Sequence, residues 1–480
     1  MAIRRYVANA DNTISNAYKE NLRTRATSSN MGQADVSEVF SIYARQSTSS
    51  AELSRVLTQF DVDAIESDRN ANTIPQSGEV SFYLRLFNAE TVKTVPKNFT
   101  IVAQAISRSW SEGDGLDLEN YKDTGASNWI SASQGTPWTS QGGDYHTLPV
   151  YTQDFSTGLE DLEINITSLV EEWIAGTKEN YGVGIRLTSS QETATTSYYT
   201  KRFFARGTQY FFKKPVIEAR WNSSIQDDRG DFYYSSSLAP ASDNLNTIYL
   251  YNFVRGALSN IPEIGTGNIF VSLFSGSSVP VDSELILHDG KTNVTGGYVS
   301  TGIYSCSICI TSANPPLKTL FDVWHNDSGV QYFTGSITPD SHYAVGASTG
   351  NTRRITNIKN LRSKYFSEEE ARFNVYIRNK NWSPTIYTVA STEIENTIIP
   401  SASYRVYRVL DGYNAIPHGT GSDLQTILSY DVSGNYFNLD MSLLEPGYEY
   451  GIKLAFYDSQ RQSWIEQDQK FLFRVEDYEY

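Results

Sequence analysis

Short runs in which apolar and polar residues alternate recur along the whole chain, and this period of two restricts the fold most. Clear examples are GEVSFYLRLFNAE (78–90), NFTIVAQAIS (98–107), YGVGIRLTS (181–189) and QYFFKKPVIEARW (209–221). Successive side chains of a strand point to opposite faces, so alternation indicates strands with one buried face. Gly, Asn and Ser separate these runs, as in antiparallel sheets. The sequence therefore predicts an all-β protein of two to three antiparallel β-sandwich domains with few short helices.

Composition supports this fold class. Aromatic residues make up 13% of the 480 residues, with 32 Tyr and 22 Phe, and such side chains suit a pleated, half-buried surface. Helical spacing appears in NITSLVEEWIAG, where Thr167 is the expected N-cap, Gly176 the expected end, and one face carries Ile166, Leu169, Val170, Trp173 and Ile174. SEEEAR (367–372) is a second helix candidate.

Two polar stretches interrupt the strand pattern and predict domain boundaries. The first, near 222–247, is rich in Ser, Asp and Asn and contains Pro240, and the second lies near 338–352. We therefore predict a sandwich over 1–222, a second β-rich domain over 223–340 and a C-terminal sandwich over 341–480.

Charge and motifs argue against several classes of function. The net charge of −15 disfavours nucleic-acid binding, which needs clustered Lys and Arg. We expect no membrane partner, because no apolar run approaches about 18 residues, and no export signal, because MAIRRYVANADNTISN lacks an apolar core. The five histidines are scattered and no phosphate-binding or dinucleotide-binding motif occurs, so we expect neither a metal nor a cofactor. Cys306 and Cys309 are predicted to be small buried thiols.

Catalytic patterns are weak. VGASTG (345–350) fits a nucleophile motif around Ser348, but no helix follows it. The acids of SEGDGLDLE, namely Glu112, Asp114, Asp117 and Glu119, are interpreted as solvated loop residues, with Ca²⁺ binding or a glycosidase pair as alternatives. The sequence therefore predicts a protein that is not an enzyme.

Trp110, Trp129 and Trp138 lie in one polar, glycine-rich stretch, 107–145, that we call the tryptophan loop. Such rings stack on a sugar, frame an active site or cap a sandwich. The residues alone leave these three roles open, so all three tryptophans are candidate glycan-stacking residues.

Interface candidates come from a different part of the chain. YIRNKNWSPTIY (376–387) combines basic and aromatic residues of the kinds that anchor protein interfaces, and the C-terminal RVEDYEY is acidic and aromatic. The candidate interface residues are Arg378, Lys380, Trp382, Tyr387, Tyr478 and Tyr480. An exposed hairpin end with a buried Trp382 is the alternative interpretation of the first cluster.

The first part of the chain resembles the DNRLRE-type β-sandwich of extracellular and surface proteins. The resemblance covers roughly 20–190 and is carried by a strand ending in ELSRVLTQFDVDAI (52–65), by EVSFYLRLFNAE, by the tryptophan loop with GTPWTSQGGDY, and by ITSLVEEWIAGTKENYGVGIRL. It implies that the tryptophan loop packs over one end of the sandwich, joined by Trp173. Because some relatives are carbohydrate-binding modules, it also leaves sugar stacking open.

The C-terminal part resembles fibronectin type III and related sandwiches through LEPGYEYGIKLAF (444–456). The resemblance implies a tyrosine corner, in which the hydroxyl of Tyr450 bonds to backbone near Leu444.

Nearly the whole chain is similar to virion structural proteins of tailed bacteriophages, particularly marine, cyanophage-type ones. The similar stretches are MAIRRYVANADNTI, SYYTKRFFARGTQYFFKKPVIEARW, FYYSSSLAP, NVTGGYVSTGIYS, VYIRNKNWSPTIY and ILSYDVSGNYFNLDM. This resemblance implies a structural component of the virion, at the neck, collar or tail first and as head decoration or fibre base next. Its partners would be other virion proteins and further copies of itself. The alternatives are a module that binds host-surface carbohydrate and, third, a glycan-degrading enzyme that uses Glu112 or Asp117.

Overall fold

The computed structural model describes residues 2–92, 94–117, 125–237, 240, 244–281, 284–285, 287, 290–311, 317–339, 353–380, 396–459 and 461–478. Within them the chain is an all-β protein with a few short helices, as the alternation predicts. The α-helices are α1 (Val62–Asn70), α2 (Thr167–Ile174) and α3 (Ser189–Glu192), and single 3₁₀ turns occur at Phe211–Lys213, Asp228–Gly230 and Met441–Leu443.

The first strand group forms one network of ten strands and a small hairpin. Its strands are β1 (Ile3–Ser15), β2 (Val36–Tyr43), β3 (Ala51–Phe60), β4 (Ser81–Leu86), β5 (Phe99–Ile106), β6 (Ser131–Ser133), β7 (Thr136–Pro137), β8 (Tyr145–Phe155), β9 (Leu162–Asn165), β10 (Val183–Leu187), β11 (Tyr198–Phe204) and β12 (Val216–Arg220). The main order is β8-β5-β10-β3-β1-β12-β4-β9, and β2 pairs with β3 and β11. The first half of β1 pairs with β12 and the second half with β3. This strand therefore connects the two halves of the network.

The second strand group is a seven-stranded sheet with a separate short hairpin, β14–β15. Its strands are β13 (Asn246–Tyr251), β14 (Phe253–Val254), β15 (Ala257–Leu258), β16 (Ile269–Gly276), β17 (Pro280–Val281), β18 (Asn293–Ser300), β19 (Ile303–Ile308), β20 (Leu320–His325) and β21 (Gln331–Ile337). The main order is β13-β19-β18-β16-β20-β21.

The third strand group has two sheets, β22-β24-β28-β27 and β23-β31-β29-β25-β26, with β30 paired to β29. Among the described strand pairs only β23 with β31 is parallel. The strands are β22 (Arg354–Ile358), β23 (Lys364–Phe366), β24 (Glu370–Asn379), β25 (Ala402–Arg408), β26 (Asn414–Ile416), β27 (Ser429–Asp431), β28 (Gly434–Asp440), β29 (Glu449–Asp458), β30 (Ser463–Glu466) and β31 (Phe471–Glu476). Each strand group surrounds its own apolar cluster. The domain limits at 222 and 340 stay a prediction.

Local order departs from the sequence prediction in three places. SEEEAR is not a helix, because β24 begins at Glu370 and buries every second side chain after it. The strand assigned to 52–65 ends at Phe60, where Asp61 caps α1 by accepting hydrogen bonds from the N–H groups of Asp63 and Ala64. In 209–221 only β12 is a strand, since a 3₁₀ turn occupies Phe211–Lys213.

The helix predicted at NITSLVEEWIAG is confirmed as α2, which buries Leu169, Val170 and Trp173. Its cap differs from the prediction. Ile166 holds the N-cap position, and the Thr167 hydroxyl instead accepts a 2.9 Å hydrogen bond from the Phe82 N–H.

The predicted tyrosine-corner hydrogen bond is confirmed. The hydroxyl of Tyr450, which is fully buried, donates to the Glu445 carbonyl at 2.7 Å. Removing the hydroxyl in Tyr450→Phe leaves that carbonyl without the donor, so we expect a loss of about 1–2 kcal/mol in the free energy of unfolding. Urea denaturation measures it. Tyr457→Phe, on an exposed position of the same strand, is the matched control, and equal stability of the two variants would contradict the prediction.

Candidate functional site

The tryptophan loop is folded around its own rings. Trp110, Trp129 and Trp138 are only 8%, 4% and 5% exposed and share an apolar cluster with Ile14, Leu57, Ile106 and Ala132. Two of the three indole N–H groups form hydrogen bonds: Trp110 Nε1 donates to the Tyr181 carbonyl and Trp138 Nε1 to the Asn128 carbonyl, each at 2.8 Å. In this conformation the rings offer no open face to a sugar. The structure therefore supports the packing role over the stacking role.

The two glycines of QGGDY are needed for this packing. Gly142 has a φ of +90°, and a Cβ there would lie 2.9 Å from Arg55 Nη1 and 2.9 Å from the Trp129 ring. A Cβ at Gly143 would lie 2.6 Å from the Tyr145 hydroxyl. Only glycine fits between these groups without strain.

A polar groove of about 560 Å³ lies on the outer side of the tryptophan loop, and we call it the arginine groove. It is lined by Arg55, Gln104, Ser107, Arg108, Thr139, Ser140, Gly143, Asp144, Tyr145, Thr147, Arg186 and Ser189. The Tyr145 ring lies beneath two guanidinium groups, those of Arg55 and Arg186, at 5.8 and 5.4 Å from the ring centroid. Sequence reasoning identified the loop, which contains Arg108, but not Arg55 and Arg186, which come from β3 and β10.

Two of the three arginines are neutralised inside the groove. Arg55 forms two hydrogen bonds with the Glu192 carboxylate, at 2.9 and 2.6 Å. Arg108 pairs with Asp144 at 2.9 Å, and Asp144 also accepts the N–H groups of Thr139 and Ser140. No described carboxylate pairs with Arg186. The groove therefore keeps one uncompensated positive charge.

In the acidic stretch SEGDGLDLE, the first acid, Glu112, forms an ion pair within the fold. Arg206 Nη2 donates to both carboxylate oxygens of Glu112, at 3.0 and 2.9 Å. The Asp11 N–H also donates to Glu112, at 2.7 Å. Asp117 is exposed, and Glu119 lies outside the described residues. Glu112 is thus held in an ion pair and is not presented to a substrate. Ser348 also lies outside the described residues.

Asp11, beside this ion pair, gives a prediction about pH. Burial, opposed by the Arg206 N–H and helped by the charge of Glu112, raises its pKa from 3.8 to about 7. Between these values the folded chain keeps a proton that the unfolded chain releases, so stability falls as pH rises from about 4 to about 7. Asp11→Asn removes this dependence, and at pH 8 we expect it to be more stable than the native chain by about 1–2 kcal/mol.

Urea unfolding from pH 4.5 to 8 measures that effect. Asp468→Asn, at an exposed position, is the control and should follow the native pH curve. A native-like pH curve for Asp11→Asn would show that Asp11 does not titrate in this range.

The first and third strand groups meet at a joint that the sequence did not reveal. Glu218 is buried and accepts hydrogen bonds from Arg5, Arg85 and Arg220 at 2.7, 3.0 and 2.7 Å. Burial alone would raise the pKa of Glu218, but the three guanidinium charges outweigh burial and hold the pKa well below its ordinary value. Arg5 also donates to the Ala415 carbonyl of the third group at 2.8 Å. The only sequence signal is a Glu and an Arg two residues apart on one strand.

Apolar contacts support the same joint. Ile3 and Phe212, from the first group, lie in the apolar cluster of the third group, and the Phe212 ring packs 5.2 Å from Tyr413. Tyr210 and Phe211 beside it stay about half exposed. The 3₁₀ turn at Phe211–Lys213 directs the Phe212 side chain into the joint.

A second joint connects the second and third groups. The segment before β13 runs along β27, and the Tyr430 hydroxyl donates to Asp228 at 2.6 Å. Next to it, Arg229 binds the fully buried Asp322 through two hydrogen bonds of 2.6 and 2.7 Å. Trp324 Nε1 also donates to Asp322. Charged side chains thus connect all three groups.

The structure describes three of the six predicted interface residues, Arg378, Lys380 and Tyr478. Arg378 and Lys380 lie at the end of β24 and Tyr478 follows β31, so they belong to the two different sheets of the third group. Tyr478 is 54% exposed and stacks on Phe366 with ring centroids 4.3 Å apart. Trp382, Tyr387 and Tyr480 lie outside the described residues. The interface role of these six residues stays a prediction.

Other candidate sites are limited. No group of three or more His, Cys, Asp or Glu that suits a metal ion occurs in the described part of the chain. Cys306 is buried and Cys309 half-buried, both as free thiols, and burial raises the pKa of Cys306 to about 12. None of the described helices has the length and apolar character needed to cross a membrane.

Comparison with known proteins does not assign the chain to a family. No protein-family model matches the chain, and no curated protein matches it. Among solved structures, a titin A168–A169 structure is similar at 9% identity over 54% of this chain and 98% of that chain, with a TM-score of 0.15. The N-terminal Ig1-2 module of the Drosophila receptor tyrosine phosphatase DLAR is similar at 7% identity, covering 48% and 91%, with a TM-score of 0.15. With scores this low, the fold class rests on the strands themselves.

Proposed function

We propose that this chain is a non-enzymatic structural component of a tailed-phage virion that acts through contacts with other virion proteins and with copies of itself. The observation that carries the proposal is the pair of joints described above. Hydrogen bonds and apolar contacts join the first and second groups to the third, so surfaces on separate groups keep fixed positions. A building block of a particle needs that property, whereas a chain of independent modules does not.

The sequence resemblance to virion structural proteins supports the same role, because the similar stretches are spread from residue 1 to residue 441. Repeated subunits around a particle axis form closed, symmetric contacts. Each stable contact buries about 1,200–2,000 Å².

An exposed apolar hairpin is a candidate contact surface for such partners. β14 and β15 carry Phe253, Val254 and Leu258, which are 61%, 50% and 37% exposed. Exposed apolar side chains clustered on one hairpin mark sites of protein contact.

Immunogold labelling of purified particles with antibody against this chain tests the proposal, with pre-immune antibody as the control. A fixed ring of gold at the neck, collar or tail is the expected result. Gold confined to the tips of the fibres would assign the chain to host adhesion instead. If the chain is absent from peptide digests of purified particles, the proposal is overturned.

A further inference from the structure

The arginine groove has unused hydrogen-bonding capacity that the fold does not explain. Arg186 Nη2 donates to Gln104 Oε1 at 2.7 Å and Nη1 makes only a long contact, 3.4 Å, with the Leu187 carbonyl. Its Nε is buried with no hydrogen-bond partner in the described part of the chain. Nη1 therefore keeps N–H capacity for an acceptor that enters the groove.

Four hydroxyl groups line the same groove. Ser107, Ser140, Thr147 and Ser189 line the groove, and none of their hydroxyls forms a side-chain hydrogen bond within the described residues. A hydroxyl both donates and accepts, which matches the hydroxyls of a sugar. The groove volume of about 560 Å³ lies in the range of small-molecule sites.

We infer that the arginine groove binds an acidic saccharide, with the sugar carboxylate on Arg186 and the sugar hydroxyls on the surrounding serines and threonine. A planar guanidinium with free N–H groups suits a carboxylate, which it binds through two parallel hydrogen bonds. The chain carries a net charge of −15, so a positively charged groove is a local exception to its overall charge.

The balance of charge favours one carboxylate over a polyphosphate. Glu192 and Asp144 already neutralise Arg55 and Arg108, which leaves a single positive charge for the ligand. Nucleic acid binding requires several free cations along a backbone. A neutral sugar is also disfavoured, since the tryptophan rings that would stack on it are buried beneath the groove.

The Tyr145 ring in the groove is held by a hydrogen bond and by close packing, and such preorganisation lowers the entropic cost of binding. The Tyr145 hydroxyl donates to the Gly142 carbonyl at 2.8 Å, and its ring lies against Gly184, where a Cβ would come within 2.1 Å of a ring carbon. The glycine in β10 therefore fixes the ring that supports Arg186.

Isothermal titration calorimetry of the full chain with trigalacturonic acid, and with neutral maltotriose for comparison, tests the inference. We expect binding of the acidic trisaccharide only, and weaker binding as salt rises. Arg186→Gln removes the charge and Ser140→Asp places a negative charge at an exposed position of the groove, so each should weaken binding at least tenfold. Arg474→Gln, an exposed arginine of the third group, is the control and should bind like the native chain.

Thermal melting of each variant separates loss of binding from loss of fold. Ser140→Asp is expected to have the same melting temperature as the native chain. Equal binding of the acidic and neutral sugars, native-like binding by both groove variants, or no binding of trigalacturonic acid would each overturn the inference. The inference does not depend on where in a particle the chain is located.

Discussion

Glu218→Gln is expected to lower the free energy of unfolding by about 3–5 kcal/mol, the usual range when one partner of a buried ion pair is removed. Three arginines converge on this carboxylate, which is only 2% exposed. Glutamine keeps the shape but supplies one acceptor instead of two, and its NH₂ group faces an arginine donor. Glu163 still pairs with Arg85 and Arg220, so the loss falls mainly on Arg5, the arginine that reaches the third strand group.

Urea denaturation of the full chain measures this loss. Glu38→Gln is the matched control. Glu38 pairs with Arg202 at a similarly short distance, 2.6 Å, but this pair lies closer to the surface. Exposed pairs contribute about 0–1 kcal/mol. If the two variants lose similar stability, the buried cluster contributes no more than a pair nearer the surface.

Strands were predictable because their signal is local. The run YGVGIRLTS contains β10, and the run NFTIVAQAIS contains β5. The alternation of buried and exposed side chains is set by strand geometry and does not depend on distant partners. Where the local signals conflicted, as in the acid-rich SEEEAR, the period of two in the following residues decided the structure.

Contacts between distant parts of the chain were not predictable in the same way. Lys201 occupies a buried position of β11, where its Nζ donates to Asn88 Oδ1 and to the carbonyls of Gly158 and Glu160. Nothing near Lys201 in the sequence indicates these acceptors. Glu218 and Arg186 are similar cases, since Arg5 and Arg85 bind Glu218, and Gln104 binds Arg186, from strands far along the chain. The tryptophan loop was visible as a motif, but whether its rings face solvent depended on Ile14, Leu57 and Ile106 from three other strands.

The role of the tryptophan loop itself is decided by Trp138→Ala. Trp138 is 5% exposed and its indole N–H donates to the Asn128 carbonyl, so truncation creates a cavity and leaves a carbonyl unpaired. We expect a loss of about 3–5 kcal/mol in the free energy of unfolding, as for other buried tryptophans. Trp464→Ala is the control, because Trp464 lies half-exposed against Tyr457 on the edge strand β30, and it should cost far less.

Trp138→Phe separates packing from ligand binding. Phenylalanine fills most of the cavity and loses only the indole hydrogen bond, worth about 1 kcal/mol. Trp138 does not line the arginine groove, so this variant should keep its affinity for an acidic sugar while Arg186→Gln loses it. A stable Trp138→Ala variant that no longer binds sugar would reverse both conclusions, because it would make the tryptophan ring a binding surface and not a part of the core.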